Sequence, residues 1–150
     1  MLPSPPQLRV CVLASGSSGN CIHVETPTTA LLIDAGLSAR ETLRRMALAG
    51  LDPAKVQAIC ITHEHSDHVA GLRNLSKKLN ARLYANGETA RHIRNGDGLS
   101  WNLFTSGSSF AVGDIELLPF PLPHDSYEPV GFILASGASR LGVATDLGIA

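Results

Sequence analysis

Apolar and polar positions change their period several times along this chain, and each change marks an element boundary. Residues 8–14 (LRVCVLA) form a short apolar run that predicts a strand, closed by the turn cluster 15–20 (SGSSGN). Residues 21–25 (CIHVE) alternate with a period of two and predict a second strand. After a Pro27 turn, residues 30–34 (ALLID) read as a strand buried on both faces, stopped by Ala35-Gly36. From Ser38 the period lengthens. Ser38 and Glu41 have the spacing of a capping box, in which Ser38 caps the Glu41 N–H and Glu41 reaches back. A helix should follow, with Leu43, Met46 and Ala47 on one face and Gly50 just past its end. Residues 57–61 (QAICI) predict another strand. Residues 69–79 predict one continuous helix, with Val69, Leu72, Leu75 and Leu79 inward and Arg73, Lys77 and Lys78 off that face. A short strand at 82–85 and a third helix at 87–94 come next. A hairpin at 109–120 turns near Gly113-Asp114, and a second flanks residues 136–139. Residues 1–7 read as a loose Pro-rich leader. Strands precede, separate and follow helices, so the class is mixed α/β with helices packed on sheets.

Composition narrows this further. Of 150 residues, 44% are hydrophobic and 17% charged, which excludes a disordered chain. No stretch approaches the ~20 apolar residues that span a bilayer. The start has neither the basic nor the apolar region of a secretory signal, so a cytoplasmic protein is expected. The net charge of −1 hides an uneven distribution. Residues 40–94 hold ten of the twelve Lys/Arg and five acids (+5), whereas residues 95–150 hold one Arg and six acids (−5). Such asymmetry is compatible with a basic surface for a polyanion or with solvated helix faces. Cys11, Cys21 and Cys60 sit in strand-like runs without C-x-x-C spacing, as reduced core thiols do.

The chemistry concentrates at Thr62-His63-Glu64-His65-Ser66-Asp67-His68, directly after a buried strand and before a helix. Neutral imidazole and carboxylate suit Zn²⁺, Mn²⁺ or Fe²⁺. His63 and His65 share a side in extended chain and can face one ion, while Asp67 and His68, beyond the bend, can face another. Without metal, such a cluster would bury polar groups at a cost. It is not H-E-x-x-H, because Asp67 stands where the second His would be and the preceding residues are strand-like. Glu64 and Ser66 alternate away from the ligands. His23 and His92 read as packing or surface residues. The 15–20 loop either offers backbone N–H groups to a phosphate or simply connects strands.

H-x-H-x-D-H after a short apolar strand resembles the signature of metallo-β-lactamase-fold hydrolases. Leu32-Ile33-Asp34-Ala35-Gly36 resembles their strand-plus-Asp-Gly element, and His124 and Asp146 match their next two ligand elements in order. Residues 14–20 (ASGSSGN), 63–68 (HEHSDH), 128–132 (EPVGF) and 143–148 (VATDLG) are similar to the YycJ-like (WalJ-like) branch. The resemblance covers residues 8–150 and implies an αββα sandwich with a dinuclear site. His63, His65 and His124 would hold one divalent ion, Asp67 and His68 the other, and Asp146 would bridge both. Zn²⁺ is the expected metal, with Mn²⁺ or Fe²⁺ as alternatives. Asp34 would orient a ligand imidazole, and Asp67 would orient the metal-activated hydroxide. The ligand set implies hydrolysis. The basic residues Arg73, Lys77 and Lys78, together with the branch, point to a phosphodiesterase or exonuclease on nucleic acid, double-stranded DNA first. A glyoxalase II-like thioesterase or lactonase is the alternative enzyme, and an inactive metal-binding fragment the non-enzyme alternative. No membrane partner is expected, and the oligomeric state is open.

The resemblance also alters the reading of length. A chain of 150 residues alone suggests one complete domain. Proteins of this fold have two similar β-rich halves, with the bridging Asp near their middle. Here Asp146 lies four residues from the end, and the family's last His ligand has no counterpart. The expectation is therefore an N-terminal half plus the start of the second, truncated C-terminally, with an apolar face exposed where the remainder would pack.

Overall fold

The computed structural model describes residues 7–94, 96–123 and 125–145. The leader up to residue 6, His124 and Asp146 lie outside the described residues.

Two sheets form. The first runs β1 (Arg9–Ala14), β2 (Cys21–Glu25), β3 (Ala30–Ile33), β4 (Val56–Cys60), β5 (Arg82–Asn86) and β6 (Trp101–Phe104), in that order across the sheet. β1, β2 and β3 are antiparallel neighbours, and β3 to β6 run parallel. The second sheet is an antiparallel meander of β7 (Phe110–Val112), β8 (Ile115–Pro121), β9 (Val130–Ser136) and β10 (Ser139–Val143). The helices are α1 (Ala39–Leu48), α2 (Ser66–Val69), α3 (Leu72–Leu79) and α4 (Gly87–His92).

Side-chain alternation in the central strands builds two cores. Leu32, Ile59 and Leu83 face Met46 of α1 and Leu72 and Leu75 of α3. Leu31, Ile33, Ala58 and Cys60 face Ile115, Leu117, Phe132 and Leu134 of the second sheet. That is why residues 30–33 are apolar without alternation: both faces are buried. The described residues thus stack helix, sheet and sheet. Val10 and Val12 on the edge strand β1, and Ile133 on the outer face of the second sheet, are exposed. No helix among the described residues is long and apolar enough to cross a membrane. All three cysteines are free, and burial pushes the thiols of Cys21 and Cys60 up.

Several expectations need correction. The helix expected over 69–79 is two: α2 and α3 are separated at Ala70 and Gly71. Gly71 lies so close to the 34–37 segment that a Cβ there would sit 1.7 Å from the Leu37 carbonyl oxygen. Its N–H donates to the Ala35 carbonyl (2.9 Å), which pulls the chain out of one helical path. The capping box is half formed. Ser38 Oγ accepts from the Glu41 N–H (3.1 Å), but the Glu41 carboxylate turns to Arg44 (2.6 Å) and Arg45 (2.9 Å) instead. Those guanidinium bonds hold the Glu41 carboxyl down at about 2. Ala47 is exposed; Ala39, Thr42 and Met46 form the buried stripe. The third helix stops at His92 rather than 94, and strand β6 forms from four residues that carry no clear alternation.

Candidate metal centre

β3, β4 and β5 are parallel, so their carboxyl ends share one edge, the usual place for a site in such sheets. Asp34 follows β3 directly. Residues 61–68 follow β4 and lead into α2.

Asp34 is fully buried and organises this edge. Its Oδ1 accepts from the Thr62 N–H (2.8 Å). Its Oδ2 accepts from the Thr62 hydroxyl (2.7 Å) and lies 2.6 Å from His68 Nδ1. Because the Thr62 hydroxyl donates its proton to Asp34, its lone pair is left to accept from His63 Nδ1, 2.9 Å away. One carboxylate therefore assigns the tautomer of two imidazoles: both carry their proton on Nδ1, which leaves Nε2 for coordination. Burial pushes the Asp34 carboxyl up, and the bonds from His68 and Thr62 pull against that.

A second layer of contacts is backbone to backbone. The Asn20 N–H donates to the Asp67 carbonyl (2.8 Å), and the Ala35 N–H to the His68 carbonyl (2.8 Å). A Cβ on Gly36 would stand 1.8 Å from the Asp67 carbonyl oxygen, so only glycine admits this approach. Asn20 Nδ2 reaches Asp67 Oδ2 (3.1 Å) and the Gly16 carbonyl (2.8 Å), while the Gly16 N–H donates to Asn20 Oδ1 (3.1 Å). The Gly-Ser loop therefore spends the N–H groups of Gly16, Gly19 and Asn20 on itself and on Asp67. Through Asn20 the loop steadies the Asp67 carboxylate.

The motif residues converge accordingly. The His63 and His68 ring centroids are 3.9 Å apart, and His63 and His65 are 4.8 Å apart, edge to face. His68 Nε2 lies 3.5 Å from Asp67 Oδ2. His63 and His68 are buried, whereas Asp67 and His65 keep partial access to solvent. Among the described residues, no group of three or more His, Cys, Asp or Glu is already disposed to hold an ion; the expected ligands His124 and Asp146 lie outside them. The second sheet reaches the same edge, because the Val130 N–H donates to the Thr62 carbonyl (3.0 Å).

The basic residues divide. Arg73 stands in the first turn of α3, near the motif loop, and its guanidinium donates to the Asp97 carbonyl. Lys77 and Lys78 are exposed in the last turn, roughly 6–8 Å further along the axis. Sequence reasoning missed Thr62 and Asn20. Thr62 directly precedes the histidines at the end of a buried strand, and that placement was its signal. Asn20 had only its position at the end of a glycine-rich turn.

The Metallo-beta-lactamase superfamily profile matches residues 14–144. The chain belongs to the metallo-β-lactamase superfamily. Among curated proteins it is 36% identical over 143 residues to the exodeoxyribonuclease WalJ of Streptococcus pneumoniae, covering 91% of this chain and 53% of that protein. It is 37% identical over 148 residues to the exodeoxyribonuclease YycJ of Bacillus anthracis, covering 94% and 55% respectively. The chain thus spans about half the length of the curated relatives it matches. Among solved structures, the MIM-2 metallo-β-lactamase superposes with a TM-score of 0.76 at 23% identity, over 95% of this chain and 61% of that one. A B3 metallo-β-lactamase with an active-site glutamic acid does so at 0.74 and 20% identity, over 93% and 61%. These structural likenesses carry the fold. Membership of this superfamily implies divalent metal ions. The donor set fits them: imidazoles with Nδ1 already engaged, beside a steadied carboxylate, are what a hard-to-borderline cation takes.

Proposed function

We propose that this chain carries part of the catalytic site of a metal-dependent phosphodiesterase, an exonuclease on nucleic acid with double-stranded DNA as the favoured substrate. One observation carries the hydrolytic reading: Asp34, through His68 directly and His63 by way of Thr62, aims two imidazoles for coordination from a buried position. The choice of nucleic acid is supported by the relatives named exodeoxyribonucleases and by the basic segment around the motif.

In this reading His63, His65, His124, Asp67, His68 and Asp146 would hold the divalent ions. Zn²⁺ is the first candidate, and Mn²⁺ or Fe²⁺ suit the same donors. Such ions, when bound, supply Lewis acidity at a phosphoryl oxygen and activate water near neutral pH. The protein's own groups do the rest. Asp34 keeps the Nδ1 proton on His68 and, by way of Thr62, on His63. Asn20 holds the Asp67 carboxylate, which would orient the attacking water. Arg73, Lys77 and Lys78 add sequence-independent attraction for the phosphate backbone.

The test is a digestion panel of end-labelled DNA and RNA with each metal restored in turn, run beside a thioester substrate. Metal-dependent release of nucleotides from a DNA end is expected. Thioester cleavage with every nucleic acid left intact would reject the nuclease reading in favour of a small-molecule hydrolase. Asp67→Ala should lower the rate by at least ~100-fold while leaving the far-ultraviolet circular dichroism unchanged; retained activity would remove Asp67 from the mechanism.

A further inference from the structure

Behind the histidine loop lies a second feature. Glu64 and Ser66 of that loop, Arg73 of α3, and His92 and Arg94 at and beyond the end of α4 line a cleft of about 610 Å³. That volume falls within the range of small-molecule and cofactor pockets. Its walls are tied together: the Arg73 guanidinium crosses to the Asp97 carbonyl. His92 Nδ1 lies 2.8 Å from the Glu88 carbonyl oxygen and donates to it, which fixes the imidazole plane. The Tyr127 ring stacks on that imidazole, centroids 3.5 Å apart and planes 9° from parallel. The Tyr127 N–H donates to Glu64 Oε2 (3.3 Å), so Tyr127 touches both walls at the rim. Tyr127 is nevertheless 62% exposed. With one ring face covered by His92, its other face is open to solvent.

An exposed aromatic face, stacked on a histidine that lines a cleft with two arginines, offers a surface to something planar and anionic. A planar guanidinium pairs with phosphate through two parallel hydrogen bonds. An aromatic face stacks any base, whatever its identity. Among the described residues Glu64 is the one carboxylate lining the cleft, and it already accepts the Tyr127 N–H.

We propose that this cleft is a nucleotide subsite. Arg73 and Arg94 take a backbone phosphate of the strand, and the open face of Tyr127 stacks the adjoining base, while the scissile phosphate lies at the histidine side of the same loop. The proposal rests on the nuclease reading for its substrate class, and adds where the strand is held. It also separates Arg73 from Lys77 and Lys78, which do not line the cleft.

Binding in the presence of EDTA tests the cleft without chemistry. The anisotropy of a short fluorescein-labelled single-stranded oligonucleotide is followed for wild type, Arg94→Gln, Tyr127→Leu and Tyr127→Phe. Both positions are on the surface, so melting curves should coincide. Tyr127→Leu should weaken binding about tenfold and Tyr127→Phe should restore it, since the stacking face is kept. Arg94→Gln should also weaken binding and reduce the salt slope by about one, whereas Tyr127→Leu leaves the slope unchanged. Wild type that does not bind the oligonucleotide in EDTA, or variants that all bind it within twofold of wild type, would overturn the subsite. Failure of the nuclease reading looks different: no digestion of any nucleic acid with metal restored, whatever the EDTA binding reports.

Discussion

Asp34 has a backbone φ of 67°, a region that residues with a side chain rarely occupy. The cost is offset by what the conformation achieves: both carboxylate oxygens point back over β4 to Thr62 and His68. Asparagine would keep the shape but replace one acceptor oxygen by an NH₂ donor, which cannot receive the Nδ1 proton of His68. Asp34→Asn should therefore weaken metal binding by roughly 10–100-fold, read by chelator competition, while the fold persists. His23 presents the opposite case. It is buried in β2, opposite Cys11 and Leu32, and neither ring nitrogen has a hydrogen-bond partner among the described residues. Burial, the largest influence, lowers its pKa below the ordinary 6.5, with Lys55 acting the same way and Glu25 opposing. The unfolded chain then binds more protons than the folded one, so stability falls as pH drops below about 6.5 toward the lowered folded value. His23→Leu should raise stability by about 1–3 kcal/mol at neutral pH and flatten the dependence below pH 6.5, measured by urea midpoints across a pH series.

The elements around the site are joined by close backbone packing. The segment after β3 and the segment at α2 lie against each other at Gly36 and Gly71, with hydrogen bonds running between Ala35, His68, Asn20 and Asp67. This contact sets where α2 begins, and so where Asp67 and His68 point. Gly36→Ala cannot be absorbed by a side-chain rotation, because the obstacle is the Asp67 carbonyl. A loss of about 3 kcal/mol is expected, together with loss of metal binding; an unchanged urea midpoint would refute the close approach. The same contact explains why one smooth apolar periodicity over 69–79 is realised as two helices. Val69, Leu72, Leu75 and Leu79 are all buried as their spacing predicts, but the chain between them bends to serve the site.

At the scale of the whole molecule, the site edge is where the two sheets meet. Val130 at the start of β9 bonds Thr62, and Asn86 at the end of β5 bonds the Glu128 carbonyl (2.7 Å). Ions held by the motif loop would brace this junction, so metal occupancy and global stability should be linked. With metal present at a hundredfold over its dissociation constant, the gain is about 2.7 kcal/mol, or roughly 5–10 °C in melting temperature for a domain of this size. Dialysis against a chelator should remove that increment and Zn²⁺ should restore it. A melting temperature indifferent to both would mean that the motif residues do not hold an ion.

What the sequence determined by itself is mostly local. Strand and helix periods, the turn at Gly113-Asp114 and the crowding of His63, His65, Asp67 and His68 are properties of neighbours along the chain, and neighbours are what a sequence displays. The two cores were foreshadowed too, because an uninterrupted apolar strand such as β3 must be covered on both sides. What only the tertiary structure decided involves residues far apart in sequence. Asp34 and Thr62 assign the proton positions on His63 and His68, and Asn20 reaches across 47 positions to steady Asp67. Gly36 and Gly71 are legible as small residues, yet the carbonyls that forbid a Cβ belong to other segments. The cleft that joins Arg73 to His92, on which Tyr127 stacks, has no linear signature at all. Spacing along the chain encodes which donors are present; their protonation, aim and spacing in space come from packing, which a one-dimensional pattern does not contain.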